Sequence, residues 1–200
     1  MSTATPTQPA RQAEHDILPL FINRWSPRAY TGEAIPDAVL FAAFEAARWA
    51  PSGSNAQPWR FVYAKRGVGN WPVFLDLLVP GNRAWAEKAS ALILIISKKT
   101  GIRQRDGLPG PLPSRSFDSG AAWQNFALQA FVSGWSTRAI GGYDREKARP
   151  ALRIPDDYDL ENFVAIGKQA EKEVLPEELR AKEFQSPRLP LKDLLFEGGF

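Results

Sequence analysis

The sequence predicts a mixed fold, α/β or α+β, with strands separated by helices. Three observations predict it. The chain has 200 residues, 44% of them hydrophobic, enough to build one sizeable core. Two stretches read as strands: RFVYAK at 60–65 and the apolar run ALILII at 91–96, the latter far too short to span a bilayer. Between and beyond them lie segments with helical spacing of apolar residues. Roughly four strands are expected, outnumbered by helices.

Taken in order, the polar, proline-containing N-terminus up to residue 15 reads as a mobile tail, and 16–200 as a single domain. Ile17, Leu18, Phe21 and Ile22 suit a short helix over 16–23, followed by the turn-rich RWSPRAYTGEAIP. After Pro36, Leu40, Phe41, Phe44, Ala47 and Trp49 fall near helical spacing, and Pro51 stops that helix. PSGSNAQPW at 51–59 is a loop by composition. Residues 72–79 and 83–89 suit two helices around a Pro-Gly-Asn turn, and ALILIIS is a central strand. The segment 100–115, rich in Gly and Pro and without period, reads as a flexible surface stretch. A long helix is expected over 116–134, ended by Gly134. WSTRAIGGYD then gives a short strand and a glycine turn, DREKARPALRI a short helix and ENFVAIGK a strand. The charged tail 171–200 closes on apolar Leu194, Leu195 and Phe196, and is expected to pack on something.

Composition removes whole classes of chemistry. There is no cysteine, so disulfides, thiolate catalysis and cysteine metal sites are excluded. The one histidine, His15, argues against a histidine-rich metal site and against a Ser-His-Asp triad. Neither a GxGxxG nor a P-loop motif is present. Asp156-Asp157 and Glu177-Glu178 read as helix-start or solvated charges rather than a catalytic pair. The net charge is +3 with scattered basic residues, which argues against a nucleic-acid partner. Without a signal-peptide pattern or a membrane span, a soluble cytoplasmic protein is expected. An enzyme so poor in catalytic side chains takes its chemistry from a cofactor.

Four constellations stand out. Arg24-Trp25-Ser26-Pro27-Arg28 offers two guanidinium groups and a hydroxyl, the set a phosphate needs, although by composition it also reads as an exposed loop. In Ala50 to Trp59, small residues allow close backbone approach to a flat ligand, with Ser52, Ser54, Asn55 and Gln57 as donors and acceptors; an ordinary helix-to-strand turn has the same composition. Gly141-Gly142 after Ile140 permits a tight turn or a backbone N–H aimed at a ligand. Arg188 lies in the extended stretch SPRLP.

The order of these motifs, RWSPRAY, APSGSNAQPWRF, Asn82 before an apolar strand, AIGGYD and SPRLP, resembles the FMN-dependent nitroreductase family over about residues 16 to 192. The resemblance implies an α+β nitroreductase-like fold: a central, mainly antiparallel sheet flanked by helices, with the C-terminal tail extending over a dimer partner. It implies bound FMN, with Arg24, Ser26 and Arg28 on the phosphate and ribityl chain and Trp25 contributing through its backbone. Pro51, Ser52, Gly53 and Asn55 are then expected at the flavin of the partner subunit. Asn82 is expected at the ring edge, Ile140, Gly141 and Gly142 beside the ring, and Arg188 as a second phosphate anchor. No side chain is assigned a catalytic role and no metal is expected. The implied reaction takes electrons from NAD(P)H to nitroaromatic, quinone or similar small acceptors by a ping-pong mechanism. The alternatives are a flavin-binding or storage protein without turnover, and a related FMN-dependent dehydrogenase or dehalogenase. The chain departs from the family's habit at Trp25 (often polar), Gly53 (often serine) and Gly141 (often acidic), and the last bears on which donor and acceptor are used. The segment 100–115 stands where larger members carry a region covering the site.

Overall fold

The structure, a computed structural model, describes residues 11–102 and 107–200. In chain order the helices are α1 (Pro19–Asn23), α2 (Asp37–Arg48), α3 (Trp71–Asp76), α4 (Pro80–Ala86), α5 (Arg115–Val132), α6 (Arg145–Ala151) and α7 (Glu177–Arg180). The strands are β1 (Trp59–Lys65), β2 (Ala91–Lys98), β3 (Thr100–Ile102), β4 (Pro109–Pro111), β5 (Ser136–Ile140) and β6 (Tyr158–Gly167). Four of them form one sheet in the order β1-β2-β6-β5, every pair antiparallel.

The unbroken apolar run of β2 has a simple cause. β2 is an interior strand with helices on both faces, so both sets of its alternating side chains are buried. Leu92, Leu94 and Ile96 join a core built with α3 and α4 through Phe74, Trp85 and their neighbours. Ala91, Ile93 and Ile95 join a second core with Leu40, Ala43 and Ala47 of α2 and Ala122, Phe126 and Ala130 of α5. The small residues on α2 and α5 let these two helices lie close together over the sheet. Opposite, Phe163 of β6 is fully buried between Phe74 and Tyr143, with both rings edge-on.

Several expected boundaries shift. Pro80, Gly81 and Asn82 are not a turn between helices but the first turn of α4, where Asn82 and Arg83 donate to the carbonyl of Val79 at 2.9 and 3.0 Å. Proline suits that position because a first-turn N–H has no helical acceptor to lose. The segment 100–115 contains a short hairpin, with β3 paired to β4, and α5 begins at Arg115; residues 103–106 lie outside the described residues. The first helix starts at Pro19, and β6 starts at Tyr158, ahead of the expected Glu161. Residues 1–10 of the expected tail also lie outside the described residues. Residues 11–15 lie against other parts of the chain: Arg11 donates to the carbonyl of Arg24 at 3.0 Å, and Glu14 accepts from the backbone of Leu191 at 2.8 Å.

The loop after α1 is stitched to the end of β6. Thr31 donates to Lys168 at 2.9 Å and Ala170 donates to Ala29 at 3.0 Å. Between these bonds the buried side chain of Tyr30 packs against Gly167. A Cβ there would sit 2.6 Å from Tyr30 Cδ1 and 2.9 Å from Cγ, closer than any side chain allows. Gly167→Ala is therefore expected to destabilise the fold by about 1–3 kcal/mol, an overpacking cost, in urea or thermal unfolding. A variant of parental stability would mean that Tyr30 yields freely and that this contact does not set the loop's position.

Candidate functional site

The loop Arg24–Arg28 leaves α1 in extended conformation, with the N–H of Arg24 still bonded to Leu20 of the helix. Pro27 is buried beneath it, which leaves Arg24, Trp25, Ser26 and Arg28 on the rim of a small cavity of about 170 Å³. Arg11, Arg138, Lys182, Phe184, Ser186 and Arg188 complete its wall, so that five arginines and one lysine converge and, among the described residues, none of the lining is acidic. Arg24 Nη1 lies 3.4 Å from Ser26 Oγ. Burial, and then the charges of Arg11 and Arg188, hold the Arg24 guanidinium below its ordinary pKa. Arg138 is lowered in the same way by burial and then by Arg28, and Arg11 by burial and then by Arg188. In all three, burial is the larger cause and a neighbouring guanidinium the smaller, and a bound anion would oppose both.

One carboxylate stands behind this wall. Glu183, its side chain 3% exposed, accepts from the backbone N–H groups of Arg28 at 2.6 Å and Ala29 at 2.9 Å through Oε1. Its Oε2 lies 3.5 Å from Arg28 Nη1. Glu183 thus pins the segment that carries Lys182, Ser186 and Arg188 to the loop that carries Arg24 and Arg28. Arg138 makes a second tie. It projects from the edge strand β5, donates to the carbonyl of Ser26 and lies 5.8 Å from the Trp85 ring centroid.

Further along β5 the chain reaches Gly141 and Gly142. The carbonyl of Gly142 accepts from Asn82 Nδ2 at 3.0 Å and from the backbone of Val79 at 3.3 Å. A Cβ on Gly142 would lie 2.7 Å from Asn82 Nδ2 and 3.2 Å from Val79 Cγ2, so glycine permits this approach. Gly141 is exposed. The loop from Pro51 lies elsewhere. Its short turn Gly53–Asn55 is exposed, holds Ser54 and Asn55 at positive φ, and is tied to α5 by the N–H of Gly53 donating to buried Asp118 at 3.2 Å.

A sequence profile of the nitroreductase family matches residues 22–70, the stretch that runs from the cationic loop through the Pro51 loop. The protein DrgA of Synechocystis is 30% identical over 177 residues, covering 76% of this chain and 80% of its own length. A protein of Rhodopseudomonas palustris under the provisional name NADH dehydrogenase/NAD(P)H nitroreductase is 27% identical over 192 residues, 87% of this chain and 91% of that one. A crystal structure of an oxidoreductase containing FMN superposes with a TM-score of 0.91 at 44% identity, covering 97% of this chain and 98% of that one. This chain belongs to the nitroreductase family.

Its nitroreductase fold brings some of the expected site residues together and leaves others apart. Arg24, Trp25, Ser26, Arg28 and Arg188 share one cavity. Asn82 and Gly142 are bonded to each other, and Ile140 is buried in the core beside them. Pro51, Ser52, Gly53 and Asn55 are not among the residues lining the cationic cavity. Reading the sequence missed Arg11, Arg138, Lys182 and Glu183. Arg138 carried a signal, a charge inside the otherwise uncharged strand STRAI. The others carried none, since their place is set by long-range contacts.

If Glu183 is the pin, removing it strands the buried N–H of Ala29, the half-buried N–H of Arg28 and the Arg28 charge. Bonds to a charged group are worth about 1.5–3 kcal/mol each, so Glu183→Ala should lower unfolding stability by about 2–4 kcal/mol. Glu183→Gln keeps an acceptor oxygen and should lose less. Equal, negligible losses in both variants would show that the segment is held by other contacts.

Proposed function

We propose that this chain is an FMN-dependent oxidoreductase that takes electrons from NAD(P)H and passes them to nitroaromatic, quinone or similar small acceptors in ping-pong order. The observation that carries the reading is the cavity lined by six cations and, among the described residues, by no acidic one. A phosphate monoester brings about −1.5 to −2 charges at neutral pH and three acceptor oxygens, which suits such a wall. The cofactor reading also draws on the FMN-containing relative at 44% identity.

Arg24, Ser26, Arg28 and Arg188 would bind the phosphate, with Trp25 adding a backbone contact. Arg138 and Ser26 would fix the height of that phosphate against β5 through their mutual bond. Asn82, Ile140, Gly141 and Gly142 would line the ring edge. One Asn82 N–H is already given to Gly142, which leaves its Oδ1 and second N–H for a ligand. Bound FMN would supply the redox step itself, accepting and donating hydride. His15 is exposed on the N-terminal segment, so protons are assigned to water rather than to a side-chain acid.

The single domain 16–200 is proposed to act as a homodimer, with Pro51, Ser52, Gly53 and Asn55 reaching the flavin of the partner subunit. The exposure of that loop, and of Leu194, Leu195 and Phe196 at the end of the tail, supports this reading. Among the described residues no helix is long and apolar enough to cross a membrane. A cytoplasmic setting remains part of the proposal.

The decisive experiment is an absorbance spectrum of the purified protein before and after anaerobic NADH or NADPH. A yellow protein that bleaches supports an oxidoreductase. A yellow protein that does not bleach points to flavin binding without turnover, and a colourless one that takes up no FMN overturns the cofactor. Within the cavity, Arg24→Ala and Arg188→Ala should each weaken FMN by about 10- to 100-fold in equilibrium dialysis, the worth of one charge-assisted bond. Unchanged affinity in both would remove the phosphate assignment.

A further inference from the structure

A second polar pocket lies on the other face of β5, away from the arginines. Its origin is an irregularity in the pairing of β2 with β6. Leu94 faces Phe163 and Ile96 faces Leu160, so Ile95 alone opposes two residues, Glu161 and Asn162. Such a bulge re-aims side chains, and bulges concentrate beside functional sites. Here both Glu161 and Asn162 line one cavity of about 110 Å³, with Ser116 and Ser119 of α5 opposite them. Ile95, Val164, Trp123 and Ala139 supply apolar wall.

The polar groups of this pocket are incompletely used. Glu161 Oε1 accepts from Ser97 Oγ at 2.5 Å and Ser116 Oγ at 2.7 Å, which fixes the carboxylate in place. Ser119 is 2% exposed, and its buried Oγ has no hydrogen-bond partner among the described residues. A buried hydroxyl left unpaired costs stability, so a partner from outside the chain is favoured. Asn162 extends towards the space beside Gly141, where its Oδ1 would lie 3.6 Å from a Cβ.

We infer that this pocket binds an uncharged aryl carboxamide head group, with Glu161 and Asn162 accepting its N–H groups and Ser119 or Asn162 donating to its carbonyl. The volume is that of about four waters, enough for the head group and part of a ring. A carboxylate head group would meet the Glu161 charge and be repelled. An ammonium head group would lose its hydration among Ile95, Trp123 and Val164 for one carboxylate in return. Ala139 of the pocket adjoins Ile140, so the reaction arm of the test, unlike the binding arm, rests on the flavin reading above.

The binding arm titrates benzamide and benzoate onto the purified protein by calorimetry or ligand-observed NMR. Benzamide should bind at least about tenfold more tightly than benzoate, the expected effect of a charged acceptor. Glu161→Gln should bring the two within about threefold, and Ser119→Ala, which removes only the lone hydroxyl and should fold, should weaken benzamide. The reaction arm measures the two half-reactions of the flavin-loaded enzyme separately. Glu161→Gln should raise KM for NADH if the head group belongs to nicotinamide, or for 4-nitrobenzamide if it belongs to the acceptor. Equal binding of benzamide and benzoate, or benzamide binding untouched by both substitutions, overturns the pocket even if the protein is yellow and active. A colourless protein that still prefers benzamide keeps the pocket and overturns the flavin.

Discussion

Like charges packed around a small cavity must be held there against their own repulsion. At 4 Å, two unit charges near a protein surface repel by about 4 kcal/mol. Neutralising them with carboxylates would offset that cost and spoil the cavity for an anion. The chain anchors the guanidinium groups mainly to neutral carbonyls instead. Arg11 donates to Arg24, Arg138 to Ser26, Arg28 to Lys182, and Arg188 to Ser186 and Pro187. Each bond fixes a cation without cancelling it. Glu183 is the exception, and it sits behind Arg28, where it serves the backbone as much as the charge.

These anchors come from four parts of the chain, Arg11 preceding α1, so the cavity depends on the whole fold. Arg24 and Arg28 follow α1, Arg138 belongs to β5, and Lys182 and Arg188 follow α7. What aligns them is the seam between the loop around Tyr30 and the end of β6, closed on Gly167. Burial pushes the Tyr30 phenol well above its ordinary pKa. The cationic loop thus rests on a buried aromatic ring.

Much of this architecture was legible in the sequence. The spacing of apolar residues located α2 and α5, and the run ALILII located an interior strand. The cationic loop was visible as a set of residue types a phosphate can use, whereas Arg188 by itself carried no signal and was expected at the site only through the family resemblance. Hidden were features that depend on pairing or on distant contacts. Pro80-Gly81-Asn82 has the composition of a turn and becomes a helix start because Val79 offers its carbonyl twice. Lys182 and Glu183 look like any solvated pair until the tail folds back onto Arg28. The bulge at Glu161 and Asn162 is a property of register between two strands, and no single strand encodes it.

The two pockets are related by the geometry of one edge strand. Successive residues of a strand face opposite sides of the sheet. Arg138 of β5 faces the cationic cavity, and its neighbour Ala139 faces the bulge pocket. A ligand with a phosphate at one and a reactive ring near the other must cross the free edge of β5. It can cross only where no side chain stands in the way. Pairing of β5 with β6 ends at Ile140 opposite Phe163, and the next two residues are glycines. Gly142 is drawn against Asn82 and Val79, while Gly141 leaves its backbone open to solvent. An acidic side chain at Gly141 would project from this crossing point. With glycine there, Asn162 Oδ1 reaches towards the same space from β6, 3.6 Å from where a Cβ would stand. If the chain acts as proposed, its donor and acceptor preferences would follow Glu161 and Asn162 rather than the residue after Ile140.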